Sequence, residues 1–454
     1  MLLGRSAELE QLNHYYDRKG SQIIVVYGQK NIGKTALIRE FSQGKPISFY
    51  VVRSCSEREQ VYEWSGELSA EGIAVPEYPS YEEIFKALTK EQTGKKIIVI
   101  DEFQNMIKAG TSFMKELVSF VHKQVDREPV LVILCSSSVG WVENSMLHRI
   151  GEAAYELSGL LKLKELRFKD CMDFFPGFSK RQCIEAFAVL GGVPGLWAHF
   201  DDKLSVKENI IKNLLSPASP LYYEGERILT EELRETAVYN TLLASIAGGR
   251  HKLNDLYLHT GFSRAKISVY LKSLMELELV EKVFSYDTKG HDNVKKGIYR
   301  ICNSVVHFYY KFVYPHMSSL KTQAAESFYL SYIEPYFKGH VGEYFKSVCM
   351  ERMEEMNEMQ QLPHIYDRAG EWVGKAGNID IIMQDEEGNT LLALCNYDKP
   401  IMRYGDYERL LYLAGKAKLD AGCIFMYSVG LFDEKLNLES KVKKNLTLVS
   451  LEDL

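Results

Sequence analysis

Paired cysteines are missing from this sequence. Its eight cysteines stand singly, at 55, 135, 171, 183, 302, 349, 395 and 423, and no two form a C-x-x-C pair. That argues against a zinc ribbon and a disulfide framework, and a reducing cytoplasm is the expected setting. An excess of basic charge is missing too. With 55 Lys and Arg against 61 Asp and Glu, the net charge is −6. This excludes a polycation that coats nucleic acid and leaves room only for a local basic patch. No apolar run approaches the roughly 20 residues that cross a bilayer, so no membrane contact is expected. The opening MLLGRSAELEQL carries acidic residues and no apolar h-region, so no signal peptide is expected. Internal repeats and low-complexity tracts are absent as well. What is there is a globular composition, 46% hydrophobic and 26% charged. The 454 residues exceed one ordinary core and suggest about three domains.

The chain is organised around Gln22 to Glu40, QIIVVYGQKNIGKTALIRE. The run Ile23-Ile24-Val25-Val26 suits a strand buried on both faces. Gly28-Gln29-Lys30-Asn31-Ile32-Gly33-Lys34-Thr35 is a complete Walker A pattern, and Ala36, Leu37, Ile38 and Phe41 begin a helix. The glycines let the loop turn tightly and bring backbone N–H groups to phosphates, at the positive end of that helix. Lys34 is expected on the β- and γ-phosphates, and the Thr35 hydroxyl on Mg²⁺. ATP or ADP with Mg is the expected ligand set.

Lys96 to Gln104, KIIVIDEFQ, then runs four apolar residues into a carboxylate pair. Asp101, at the strand end, is expected to hold Mg²⁺ mostly through water, and Glu102 to polarise the attacking water. A helix over Ser112 to Lys123 separates this from another buried strand, Val130 to Cys135, ending in Ser136-Ser137-Ser138. Ser137 is the candidate γ-phosphate sensor, with Ser136 close behind; a serine-rich turn explains the cluster equally well. Arg149 could face a phosphate, although a lone arginine more often sits on the surface.

Residues 160–215 read as mainly helical, with Leu190-Gly191-Gly192-Val193-Pro194-Gly195 as a helix end and turn. From Thr236 to Cys302 the pattern is helix, short helix, glycine turn, and a third helix capped by Ser263 and running through SRAKISVYLKSLMELELV. Val280 to Val283 and Gly297 to Ile301 follow as a hairpin with Asp287 to Lys296 at its tip. The whole reads as a winged helix. Arg264, Lys266, Ser268 and Lys272 on the third helix, with Lys295 and Lys296 on the wing, are candidates for DNA contact. Glu276, Glu278 and Glu281 dilute that charge, and winged helices also serve as packing modules. Beyond Val306 come Tyr- and Phe-rich helices and then a mixed α/β pattern, with strands at 378–383, 390–396, 423–427 and 446–449.

With these residues placed, the chain resembles the archaeal-type ATPases of the STAND group of P-loop NTPases, close to AAA+ proteins. Leu3-Gly4-Arg5-x-x-Glu8-Leu9, VVYGQKNIGKTALIREF, VIDEFQ, LGGVP, Ser219 to Tyr223 and Glu231 to Arg234 carry the resemblance. It implies an α/β fold: an ASCE/AAA+-like P-loop NTPase core over 1–160 and a helical lid and linker over 161–230. A winged helix-turn-helix over 231–315 and a restriction-endonuclease-like domain over 316–454 complete it. It also implies that Gly4 and Arg5 lie near the adenine and that Pro194 packs on the base. The C-terminal part resembles a domain of unknown function similar to PD-(D/E)XK nucleases, which use an Asp on one strand and Glu-x-Lys on the next. Asp380 fits the first element. Leu394 and Asn396 stand where Glu and Lys are needed, and Glu343 adds only one more carboxylate, so nuclease activity is not expected. The resemblance therefore implies an ATP-hydrolysing switch, with self-association or a protein partner as its client. The alternative is a DNA-binding regulator or an initiator of the Orc type with ATP as a structural ligand. Such initiators usually carry an arginine after the lid glycine, where this chain has Gly192-Val193-Pro194-Gly195-Leu196.

Overall fold

The computed structural model describes residues 2–90, 94–124, 129–286 and 297–454. The chain forms two compact units: Met1–Leu166 with Val193–Gly195, and Arg167–Gly192 with Leu196–Leu454.

The first unit is a three-layer α/β arrangement. Helix α1 (Ser6–Asp17) leads to strand β1 (Gln22–Tyr27), then α2 (Lys34–Phe41), β2 (Ile47–Val51), α3 (Glu57–Ala70) and α4 (Tyr81–Leu88). β3 (Lys96–Asp101), α5 (Gln104–Ala109), α6 (Ser112–Lys123), β4 (Val130–Ser136) and β5 (Gly159–Lys162) follow. The five strands are all parallel, in the order β2-β3-β4-β1-β5. β1, β3 and β4 are continuous β-branched and leucine runs because both faces of a central parallel strand are covered. The expected boundary at 160 falls inside β5, whose pairing with β1 keeps it in this unit.

Aromatic side chains from α3, α4 and α6 fill one side of the sheet. Tyr50 stacks on Trp64 at 4.5 Å between centroids, and Phe85 on Phe120 at 5.0 Å. Each such pair contributes about 0.5–1.5 kcal/mol beyond its burial. α4 starts with a capping box: Glu83 N donates to Ser80 Oγ at 3.2 Å and Ser80 N to Glu83 Oε2 at 2.8 Å. A serine followed three residues later by a glutamate is the usual sequence signature of such a box.

In the second unit, helices Thr236–Ala247, Leu253–Thr260 and Arg264–Glu276 precede an antiparallel hairpin of β6 (Val280–Val283) and β7 (Ile298–Ile301). The expected wing tip, with Lys295 and Lys296, lies outside the described residues. The third helix stops at Glu276, short of Val280, because Glu278 is left-handed at φ 56° and Leu279 N turns back to Leu274 O at 3.0 Å. Glycine usually marks such an end; a glutamate there hid it. The hairpin is braced on the C-terminal sheet, with Arg300 on Glu371 at 2.7 Å and Tyr286 Oη donating to Gln384 at 3.1 Å.

That sheet comprises β8 (Arg368–Gly374), β9 (Gly377–Gln384), β10 (Thr390–Asn396), β12 (Cys423–Ser428) and β14 (Leu446–Ser450). Its order is β14-β12-β10-β9-β8, and a two-residue pair, β11 (Ile401–Met402) with β13 (Leu431–Phe432), stands apart. β8 was not expected; its two glycines and weakly alternating RAGEWVG give an edge strand with little pattern. The long helix before this sheet spans Glu334–Glu358.

On that helix Glu351 accepts from Phe168 N at 2.7 Å. Burial pushes its carboxyl up to about 7, reinforced by Glu354 and Asp170 and opposed by the Phe168 N–H and Arg167. An acid whose folded pKa is raised favours the fold while protonated. That contribution is complete below the unfolded value and is lost as pH rises through about 7. Glu351→Gln keeps the acceptor and removes the charge. It is expected to exceed the parent in stability by about 2 kcal/mol at pH 8 and to match it near pH 4, as read by urea denaturation at both values.

Candidate functional site

The loop between β1 and α2 occupies the C-terminal edge of the first sheet. Gly28 N donates to Ser136 O at 3.3 Å, which ties the loop to the tip of β4. A Cβ on Gly28 would meet Leu163 O at 2.6 Å, so only glycine fits there. Asn31 and Gly33 are left-handed, at φ 65° and 102°, and the Gly33 carbonyl accepts the first α2 bond from Leu37 N at 2.9 Å. Ile32 is fully buried, whereas Thr35 is half-buried and Ala36 exposed.

Lys34 is 8% exposed, and its ammonium donates to Gly28 O at 2.8 Å and Gln29 O at 3.2 Å. Burial lowers its pKa, and Glu102 and Asp101 work against that shift. Asp101 is raised by burial and by Glu102, while Lys34 and a bond from Glu102 N (3.0 Å) pull it down. β4 lies between β1 and β3, yet the strand tips bring lysine and both carboxylates into one electrostatic cluster.

Glu102 is left-handed at φ 56°. Its Oε2 accepts the Ser137 hydroxyl at 2.8 Å and the Gln104 side-chain amide. Ser136 is fully buried, and its Oγ accepts from Ser138 N at 3.2 Å, so of the serines at this tip Ser137 is the one that reaches the carboxylate. Arg149 is exposed on the short helix Leu147–Ile150 and forms no hydrogen bond or ion pair among the described residues.

Arg5 is placed beside the loop, but its guanidinium is engaged by protein acceptors: Glu8 at 2.9 Å, Ile32 O at 3.1 Å and Lys164 O at 2.8 Å. Gly4, left-handed at φ 62°, precedes it. Pro194, expected in the 161–230 lid and linker, groups with the first unit as part of Val193–Gly195. Its Cγ lies 3.7 Å from where a Gly33 Cβ would stand, and Gly195 N donates to Asn31 O at 3.0 Å. A Cβ on Gly195 would come within 2.7 Å of that oxygen, so this glycine serves close approach rather than chain reversal alone. Gln104, Lys164 and Glu165, which takes Gln29 Nε2 at 2.8 Å, were not among the expected site residues. Nothing local in the sequence marks a backbone carbonyl or an amide as part of a site.

In the second unit Asp380 accepts from Cys395 N at 2.9 Å and pairs with Lys346 at 2.5 Å. Glu343 pairs instead with Lys311 at 2.8 Å. Asn396 braces its own turn, donating to Lys399 O and Ser428 Oγ at 2.9 Å each. No group of three or more metal-ligating side chains occurs among the described residues, nor does any helix among them have the length and apolarity to cross a membrane.

A glycine loop gripping its own lysine between a parallel strand and a helix, with an Asp-Glu pair two strands away, is the arrangement of a P-loop nucleotide-binding protein. Residues 2–200 match the model of an ATPase domain found predominantly in Archaea. Residues 309–403 match a second model, described as archaeal and bacterial proteins of unknown function. An uncharacterised protein of Methanocaldococcus jannaschii is 26% identical over 462 residues, covering 100% of both chains. An uncharacterised ATP-binding protein of the same organism is 36% identical over 47 residues, 10% of this chain and 80% of its own. Among solved structures, the Walker-type ATPase of Pyrococcus abyssi is similar with a TM-score of 0.48 and 18% identity, over 68% of this chain and 96% of that one. The ORC2 protein of Aeropyrum pernix matches with the same TM-score and 17% identity, over 71% and 95%.

Proposed function

We propose that this chain is a Mg-dependent ATPase of the STAND switch type, in which the bound nucleotide sets the state of the modules that follow. The observation that supports it is the cluster of Lys34, at the start of α2, with Asp101 and Glu102, where β3 ends. Backbone N–H groups from Gly28 to Thr35 take the phosphates, and Lys34 exchanges its two loop carbonyls for β- and γ-phosphate oxygens. Two carboxylates against one lysine leave excess negative charge, and burial has already raised Asp101. Those hard oxygens, with the Thr35 hydroxyl, fit a divalent cation that keeps its waters and the substrate's phosphates as further ligands. Thr35 and Asp101 would hold Mg²⁺, which supplies charge neutralisation on the phosphates. Glu102 accepts the proton of the attacking water, and Ser137 couples that carboxylate to the tip of β4. Arg149 is the exposed cation left for the γ-phosphate, and Arg5 acts on the nucleotide through the Ile32 carbonyl that it fixes.

The segment 236–301 serves as the winged helix, and the C-terminal sheet as a nuclease-like domain without nuclease chemistry: Lys346 holds the carboxylate of Asp380. A second reading, DNA contact through the winged helix, is favoured by the exposure of Arg264, Lys266 and Lys272 on one helix. Against it, Arg264 is held by Asn254 at 2.7 Å and Lys272 faces Glu276 at 3.7 Å. Phosphate release from ATP by the purified chain, with and without Mg²⁺, tests the first reading; no release under either condition refutes it. Sizing with ADP and with an ATP analogue, with and without duplex DNA over a salt series, separates the two readings.

A further inference from the structure

We infer that Gln104 is a positioning residue for Glu102, and that with Ser137 it decides which carboxylate oxygen meets the attacking water. The inference rests on the proposed role of Glu102 as base. Gln104 opens α5, two residues past Glu102, and is 5% exposed. Its amide nitrogen donates to Glu102 Oε2. The same oxygen takes the Ser137 hydroxyl at 2.8 Å and, more distantly, Ser137 N at 3.4 Å. Among the described residues no donor reaches Glu102 Oε1. The opposite orientation of the Gln104 amide would set two acceptors against each other, so the hydrogen-bond network fixes the one seen.

Two further features make this more than packing. Gln104 Oε1 is buried with no partner among the described residues, a costly arrangement that an apolar side chain of the same length would avoid. Glu102 also has a left-handed backbone at φ 56°, a conformation that a glutamate does not favour and that its surroundings must impose. Gln104 therefore keeps a polar group in the core of the unit, and the group its amide nitrogen holds is the base itself.

The consequence is an asymmetric carboxylate. Oε2 is saturated by protein donors, and Oε1 is free to accept. As the water oxygen bonds to the γ-phosphorus, the bond from that phosphorus to the β–γ bridging oxygen breaks. ADP leaves with that oxygen, and the water's proton passes to Oε1. Without Gln104 the carboxylate turns about its last torsion and loses alignment with the water, while the loop that binds the phosphates is untouched.

The test uses the full chain, with steady-state phosphate release giving kcat and calorimetry giving ATP affinity. Gln104→Met is expected to lower kcat by about tenfold or more and to leave the ATP Kd within about twofold. Its Tm should equal or exceed the parent's. Gln104→Asn, whose amide stops one methylene short of Oε2, is expected to lower kcat in the same way, again with the ATP Kd within about twofold. Parental kcat in Gln104→Met, alongside an inactive Glu102→Gln, overturns the inference and leaves the base standing. Full turnover in Glu102→Gln removes the reading beneath it. If Gln104→Met loses its fold, parental kcat in Gln104→Asn overturns the inference by itself.

Discussion

Glu102→Gln is expected to lower ATP turnover by about 10²–10⁴-fold while nucleotide binding survives. The amide keeps the size of the carboxylate and can still accept the Ser137 hydroxyl through its oxygen, so the tip of β3 keeps its shape. What it loses is the capacity to take a proton. It also loses a negative charge close to Lys34 and Asp101, which relieves one of the two causes that hold Asp101 above the usual carboxylate range. Binding of ATP with Mg²⁺ is therefore expected to be unchanged or slightly tighter. Single-turnover phosphate release together with calorimetric titration separates the two effects. Normal hydrolysis by this variant would show that another group activates the water.

Lys34→Ala is expected to act on binding rather than on chemistry. Its ammonium lies inside the loop, on the carbonyls of Gly28 and Gln29, and a charge-assisted bond of this kind contributes about 1.5–3 kcal/mol. Losing it weakens ATP by roughly 10- to 150-fold, enough to abolish binding at working concentrations. The apo loop changes as well, because two carbonyls that now converge on a cation are left facing each other, and the Asp101–Glu102 pair loses its neighbouring positive charge. Titration with a fluorescent ATP analogue checks the affinity, and parental affinity would exclude the lysine from the phosphates.

The elements of the first unit were legible because each carried a local cause. A β-branched run reads as a buried parallel strand, Ser80 with Glu83 reads as a capping box, and the glycine spacing fixes the loop before any tertiary contact is known. Partners that arrive from elsewhere in the chain left no such trace. Pro194 and Gly195 were visible as a turn but not as the segment lying against Asn31. Lys346 was hidden altogether: the strand pattern left Asp380 without its lysine, and the cation comes instead from a helix more than thirty residues upstream. The end of the third helix near the hairpin was misread for the opposite reason, since a glutamate holds a backbone conformation that glycine normally advertises.

Lys346 also changes what the C-terminal sheet asks of its surroundings. A buried carboxylate at a strand centre needs a positive counter-charge, and here the chain carries that charge on a tether. The counter-charge arrives when the helix docks, at no cost in translational entropy and without regard to which ions the solution holds. Assembly of this sheet thereby draws on no ion from solution, and the domain's integrity would be insulated from any divalent cation that the proposed nucleotide site takes up.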